Sequence, residues 1–260
     1  MSAVTYGKFH RLSRLFGERA RILIMAMDHG VPYGDVFGSE GIDGHLKRAV
    51  GLVDAVILNR GVVDTIDASL LNKFELVFKL NGITSYSSDP YDLVMLSDVE
   101  QAASYDPAAL SYEIYLGGNH EHARLGELSG IIRMCDKFDI PLISHIYPNE
   151  EKKNPEIISH CIRLGLELGT DVIKTFYFKG MKEQLSRTAR PVIIAGGAKM
   201  SRESEVLDYV RNAVKEGAAG IAMGRNLWGW GDATPALVRK VSEIVRGKKG
   251  ADRDEKYRVR

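Results

Sequence analysis

The sequence predicts an α/β fold, a closed (β/α)8 TIM barrel in a single domain, and three observations carry that expectation. Strand-like and helix-like patterns alternate nearly from end to end of the 260 residues. The strand-like runs are continuously apolar and β-branched, as in parallel strands covered on both faces. Eight β-then-α units fit the roughly 250 residues typical of such a barrel. On pattern alone, an open doubly wound sheet stays as the alternative. No linker or composition shift marks a second domain, so the expectation is one domain over 1–260. Its core spans about 21–245, with a short N-terminal extension and a charged C-terminal tail.

The first predicted strand is Ile22–Met27, followed by the turn-rich Asp28–Gly34. A helical pattern over Ile42–Leu52 leads to strand Ala55–Leu58, then to a second helix near Val62–Ala68. Glu75–Leu80 is the third strand, closed by Asn81-Gly82, and Ser88-Asp89-Pro90 marks a loop in the irregular stretch Thr84–Asp98. A helix over Val99–Tyr105 precedes the fourth strand, Leu110–Tyr115. His122–Phe138 is a long helix and Pro141–Tyr147 the fifth strand. Asn154-Pro155 opens the next helix as a cap followed by proline at the first position, and Gly169 closes it. Asp171–Tyr177 is the sixth strand, Pro191–Ala195 the seventh and Gly220–Met223 the eighth.

Composition narrows the function classes. With 45% hydrophobic and 27% charged residues this is an ordinary water-soluble profile, and a formal net charge of +1 supplies no field to attract nucleic acid or a membrane. The one concentrated basic run, Arg246–Arg260, also carries Asp252, Asp254 and Glu255 and reads as a solvated terminus. Cys135 and Cys161 lie in helical patterns without ligand spacing, consistent with two buried reduced thiols of a cytoplasmic protein. The N-terminus has no signal-peptide apolar core, and no run reaches membrane-span length.

In a barrel of this class the active site forms at the C-terminal ends of the strands. There the sequence places Asp28 and His29, Asn59 and Arg60, Lys79 and Asn81, His145 and Tyr147, Lys174, Gly196-Gly197, and Gly224-Arg225. Lys174 stands out because it is set into a buried strand. Desolvation disfavours the ammonium, and a neutral amine is what imine formation on a carbonyl substrate requires. The plainer possibilities are a snorkelling lysine or an ion pair with Asp171.

The glycine turns Ala195-Gly-Gly-Ala-Lys199 and Met223-Gly-Arg-Asn226 follow the last two strands, where barrels of this kind cradle phosphate. Backbone N–H groups and helix N-termini there would face the anion, and Arg225 would add a charge-assisted contact. Tyr147 and Asp28 are candidates for proton transfer near Lys174, with rim packing and a turn cap as their bland alternatives. His29 and His145 join the glycines and Arg225 as candidate substrate- and phosphate-binding residues. His120-Glu-His122 suggests a metal pair, but alternate residues diverge once a helix begins, so no metal is expected. Trp228-Gly-Trp230 reads as a cap on the barrel or a subunit contact.

Taken together, Met27-Asp-His-Gly30, Tyr147-Pro148, Ile173-Lys-Thr175, Ala195-Gly-Gly197 and Met223-Gly-Arg-Asn226 make a chain that resembles the archaeal-type class I fructose-bisphosphate aldolases from about Arg21 to Val245. That group also includes 2-amino-3,7-dideoxy-D-threo-hept-6-ulosonate synthase and the thiolase for phosphorylated autoinducer-2. The resemblance implies that Lys174 forms the Schiff base, Tyr147 transfers protons and Asp28 is the supporting acid. It also implies a sugar-phosphate substrate, no cofactor beyond the covalent imine, and a homo-oligomer, a ring or decamer. The expected reaction is reversible cleavage of fructose 1,6-bisphosphate, a step of glycolysis and gluconeogenesis. Departures keep the branch open. Val31-Pro-Tyr-Gly-Asp35 looks more like the synthase, whereas Lys79-Leu-Asn-Gly82 leans toward the aldolases. Tyr115-Leu-Gly-Gly118 resembles the thiolase, a branch that lacks the tyrosine at position 147. A non-catalytic sugar-phosphate-binding scaffold is the remaining alternative.

Overall fold

The computed structural model describes residues 5–17 and 21–247. Eight parallel strands close into a barrel: β1 (Ile22–Ala26), β2 (Ala55–Leu58), β3 (Glu75–Lys79), β4 (Ala109–Leu116), β5 (Leu142–Pro148), β6 (Val172–Phe176), β7 (Val192–Ala195) and β8 (Gly220–Met223). They pair in chain order, and β8 returns to β1 with Ile22 beside Gly220 and Met25 beside Met223. The closed barrel replaces the open-sheet alternative.

Side-chain alternation along these strands sorts the core into two shells. Ile22, Ile24, Ala26, Ala55, Ile57, Val77, Ala109, Ile143, Val172, Ile193 and Ala222 point inward and form one apolar cluster. Leu23, Met25, Val56, Phe78, Leu110, Ile173 and Ile221 point outward, against the surrounding helices. The same period of two sends Asp28, Lys79, Glu113, His145, Tyr147 and Lys174 inward, because each lies two or four residues beyond an inward apolar position.

The N-terminal extension is a structural part of the barrel. A helix, α1 (Tyr6–Phe16), is capped by Thr5, whose hydroxyl accepts from the Lys8 N–H. Its Leu12, Leu15 and Phe16 complete the inward-facing cluster at the base. Lys8 is buried and reaches Asp171 Oδ2 at 2.7 Å and Asp136 Oδ1 at 2.6 Å. Asp171 therefore has its partner at the base of the barrel, and the Lys174–Asp171 pair considered from sequence does not form.

Other elements depart in detail. The helix expected near Val62–Ala68 is two short helices, Arg60–Val63 and Ala68–Leu71. Asp67 separates them by accepting from the Ser69 and Leu70 N–H groups, which starts a new helix. Asn81–Gly82 extends past the third strand and pairs antiparallel with Val94–Met95, folding the irregular stretch over the barrel mouth. Asn154 caps Pro155–Leu168 as expected, and Gly169 ends that helix in the left-handed conformation, with φ 85°. Cys135 and Cys161 are buried and unbonded to one another. Beyond Gly247 the charged tail lies outside the described residues.

Candidate active site

A cavity of about 520 Å³ opens at the C-terminal ends of the strands. Asp28, His29, Tyr147, Lys174, Gly196, Gly197, Gly224 and Arg225 all line it, so the sequence expectation converges on one place. His145 is the exception. It is fully buried below the lining, with Nδ1 3.5 Å from Glu113 Oε2, so it offers no direct substrate contact.

Lys174 is 5% exposed, in the barrel interior. Burial lowers its pKa to about 8, partly offset by the carboxylates of Asp28 and Glu113 and assisted by the Lys79 charge. Asp28 faces it from the end of β1. Burial opposes ionisation of Asp28, but the charges of Lys79, His29 and Lys174 outweigh it and hold the carboxyl below its ordinary range. Asp28 makes no turn cap: the position before helix Gly30–Tyr33 is His29, whose side chain accepts no capping bond.

Two residues of the cluster carry more than sequence suggests. Lys79 bridges Glu113 Oε2 at 2.7 Å and Asp28 Oδ2 at 3.8 Å. Glu113 also accepts from the Tyr115 hydroxyl at 2.8 Å. The Asn81 amide clamps the Glu113 backbone, donating to its carbonyl at 2.7 Å and accepting from its N–H at 2.9 Å. Burial works against the Glu113 charge, yet the Lys79 ammonium and the His145 hydrogen bond keep it well below the carboxylate range. Two carboxylates and one committed ammonium leave one negative charge to balance a cation on Lys174.

Tyr147 stacks on Phe176 with ring centroids 4.7 Å apart. Burial and the neighbouring Glu113 and Asp28 charges push its pKa well above that of free tyrosine. The resting phenol is a proton donor.

The glycine turns lie side by side at the rim. A Cβ at Gly224 would overlap the His29 imidazole and come 2.9 Å from the Ala26 carbonyl oxygen; Gly197 has φ +68°. Glycine is thus required at both points, the second for its left-handed backbone. Arg225 lines the cavity beneath Tyr33, with Cζ 5.1 Å from the ring centroid, and its buried Nε has no hydrogen-bond partner. The Asn226 side chain ties the turns together, accepting from the Met200 N–H and donating to the Gly196 and Ala198 carbonyls. The expected helix dipoles are weak. After β7 the helix begins only at Glu203, where the Glu205 carboxylate takes the Ser201 and Arg202 N–H groups. After β8 the helix is the four residues Arg225–Trp228.

Trp228 caps the barrel, donating from Nε1 to the Ala26 carbonyl and packing on His29, Phe37 and His45. His120 precedes helix Glu121–Lys137 and points toward Asp92, 3.9 Å away. No metal-type cluster of three His, Cys, Asp or Glu occurs among the described residues.

A parallel barrel with a desolvated lysine among paired carboxylates at its C-terminal rim defines the class: Schiff-base aldolases, in which the imine nitrogen is the electron sink and neither metal nor organic cofactor is needed. More particularly, the chain belongs to the DeoC/LacD family of aldolases, whose family model matches residues 22–229. It is 34% identical to a class 1 fructose-bisphosphate aldolase of Thermoproteus tenax, over 91% of this chain and 94% of that protein. It is also 32% identical to a 2-amino-3,7-dideoxy-D-threo-hept-6-ulosonate synthase of Archaeoglobus fulgidus, over 93% and 92%. The fold superposes with a TM-score of 0.81 on an archaeal fructose-1,6-bisphosphate aldolase whose catalytic lysine carries the carbinolamine intermediate. That structure is 32% identical, over 92% of this chain and 100% of the other.

Proposed function

We propose that the protein makes and breaks a carbon–carbon bond of a ketose phosphate through an imine on Lys174, and that its reaction is reversible cleavage of fructose 1,6-bisphosphate. The observation that carries this reading is the Lys174 amine, buried in the wall of the cavity beside Asp28, Lys79 and Glu113, where desolvation lowers its pKa to about 8.

Neutral Nζ attacks the C2 carbonyl, and the carbinolamine loses water to give an iminium. Asp28 and Glu113, with Lys79 between them, balance that new charge. The C4 hydroxyl passes its proton to the ionised Asp28 carboxylate as the C3–C4 bond breaks. Glyceraldehyde 3-phosphate leaves, and the bonding pair passes to the imine nitrogen as an enamine. Tyr147, the protonated phenol beside Phe176, protonates the enamine carbon and is restored by the proton that Asp28 took, and water hydrolyses the iminium to dihydroxyacetone phosphate and the free amine. Gly196, Gly197, Gly224 and the unpaired Arg225 Nε receive the phosphate nearest the imine.

A second reading is favoured by the distribution of charge. The cations lining the cavity are Lys79, Lys174 and Arg225, beside His29. Lys79 is committed to carboxylates and Lys174 to the imine, so Arg225 is left for one phosphate. The part of the wall made by Val31, Pro32, Ile83, Thr84, Ser85, Pro90 and Leu93 is uncharged. Such a wall suits an acceptor aldehyde without phosphate, as a synthase joining a three-carbon unit to an amino-acid-derived aldehyde would use.

One assay separates the two. The purified protein is given fructose 1,6-bisphosphate alone and then with aspartate semialdehyde, and products are read by mass spectrometry. Triose phosphates in the first arm support the aldolase; a seven-carbon amino acid appearing only in the second supports the synthase. Borohydride added with dihydroxyacetone phosphate is expected to label the Lys174 peptide, and labelling that survives Lys174→Ala would reject the assignment. Binding without turnover or labelling would instead indicate the non-catalytic scaffold.

A further inference from the structure

Glu113, His145 and Lys174 are Cα partners across three adjacent strands, Glu113 opposite His145 and His145 opposite Lys174. Neighbouring strands lie about 4.8 Å apart. All three side chains face inward, so the imidazole stands between the carboxylate and the amine. Ionised Glu113 only accepts hydrogen bonds, and its Oε2 lies 3.5 Å from His145 Nδ1. Nδ1 must therefore carry the proton, which leaves Nε2 as a bare acceptor. That Nε2 is buried and has no hydrogen-bond partner. An unmatched buried acceptor destabilises the fold, and the proposed reaction gives a reason to retain it.

We propose that His145 is a positioning residue for Lys174: with Nδ1–H turned to Glu113, its Nε2 lone pair receives one N–H of the lysine amine and so directs the Nζ lone pair into the cavity. The flexible lysine stem lets Nζ swing to Nε2 as the carbonyl approaches. The imidazole is suited to this because burial, then the charges of Lys174 and Lys79, lower its pKa to about 3 against the opposing Glu113. It stays an acceptor across the working range and does not become a competing cation. The other titratable groups facing the pair are Asp28 and His29 from the end of β1, Lys79 from β3, Tyr115 from β4 and Tyr147 from β5. The proposal rests on Lys174 as the imine-forming residue.

Two substitutions separate the ring nitrogens. His145→Asn keeps an N–H for Glu113 and has nothing at the Nε2 position, whereas His145→Gln can place an amide oxygen there. Single-turnover trapping with dihydroxyacetone phosphate and borohydride would be followed from pH 6 to 10, alongside equilibrium binding of inorganic phosphate. The expected result is that His145→Asn slows trapping about 10- to 100-fold even above pH 9, where Lys174 is neutral, with phosphate affinity unchanged. His145→Gln is expected to recover most of the rate. Trapping by His145→Asn at the wild-type rate, or equal slowing in both variants, would overturn the proposal. Wild-type protein that labels nowhere would sink the Lys174 reading itself, which is a different failure. A third measurement needs no His145 variant. Long-range 1H–15N spectra are expected to show the Nδ1–H tautomer of His145, with an Nε2 resonance that moves in Lys174→Met. An Nε2–H tautomer, or a resonance indifferent to Lys174, refutes the idea.

Discussion

Burying an amine costs the fold stability, and for Lys174 the sign can be worked out. Its folded pKa of about 8 lies below the ordinary value of 10.5. Between those values the unfolded chain holds a proton that the folded chain lacks, so stability rises with pH through that window. At about 1.36 kcal/mol per pH unit the gain is on the order of 3 kcal/mol. Urea midpoints for wild type and Lys174→Met are expected to converge as pH rises from 8 to 10.5, and a gap constant with pH would show that the lysine is not desolvated. Imine trapping is expected to accelerate over the lower part of the same range, as the amine loses its proton. Tyr147→Phe should cripple turnover and leave trapping intact, because the phenol acts after attachment; cleavage at the wild-type rate would remove Tyr147 from the mechanism. Tyr147 and Asp28 were legible in the sequence because they lie where strands end, and Lys174 because it is the one charged side chain in a buried, otherwise uncharged strand. Glu113 was not. Strands tilt and stagger around a barrel, so a residue in the middle of β4 stands level with Lys174 on β6. The one available signal was a carboxylate in the otherwise apolar run Leu110–Tyr115.

At the scale of elements, the two rim turns and α1 do different work. Gly197→Val imposes a β-branched side chain on a backbone at φ +68° within the proposed phosphate cradle. The KM for phosphorylated substrates is expected to rise strongly, while unphosphorylated dihydroxyacetone, a poor substrate from the start, changes little. Equal loss on both would mean misfolding. In α1, Lys8 and Asp171 form an ion pair in which both side chains are 5% exposed. Lys8→Met leaves a buried carboxylate without its main partner, and a loss of about 3–5 kcal/mol in chemical denaturation is expected. A loss below about 1 kcal/mol would show that Arg190, 4.0 Å from Asp171, compensates. The helix itself was illegible as part of the fold, since nothing local says that an amphipathic N-terminal segment packs under a barrel that follows it.

For the whole molecule, both ends of the barrel are packed by segments distant in sequence from the strands they cover. α1 seals one end with Leu12, Leu15 and Phe16, while Trp228 covers β1 at the other by bonding to Ala26. Leu15→Ala is expected to cost about 2–5 kcal/mol, read as a lowered denaturation midpoint with little change in kcat, because the cavity it makes is far from Lys174. The resemblance also carries the proposal of a homo-oligomer, for which light scattering should report a multiple of 28.8 kDa. No described helix is long and apolar enough to cross a membrane. By itself the sequence determined the repeating β/α units and the lysine, tyrosine and glycine turns of the rim, because period, strand-end position and turn chemistry are local properties, whereas closure of the sheet into a barrel was decided by the pairing of β8 with β1. Only the tertiary structure decided that Asp171 serves Lys8, that Glu113 and Lys79 complete the charge balance, and that His145 lies beneath the cavity. Those facts depend on the register between strands, which closure of the barrel imposes and no stretch of sequence encodes alone.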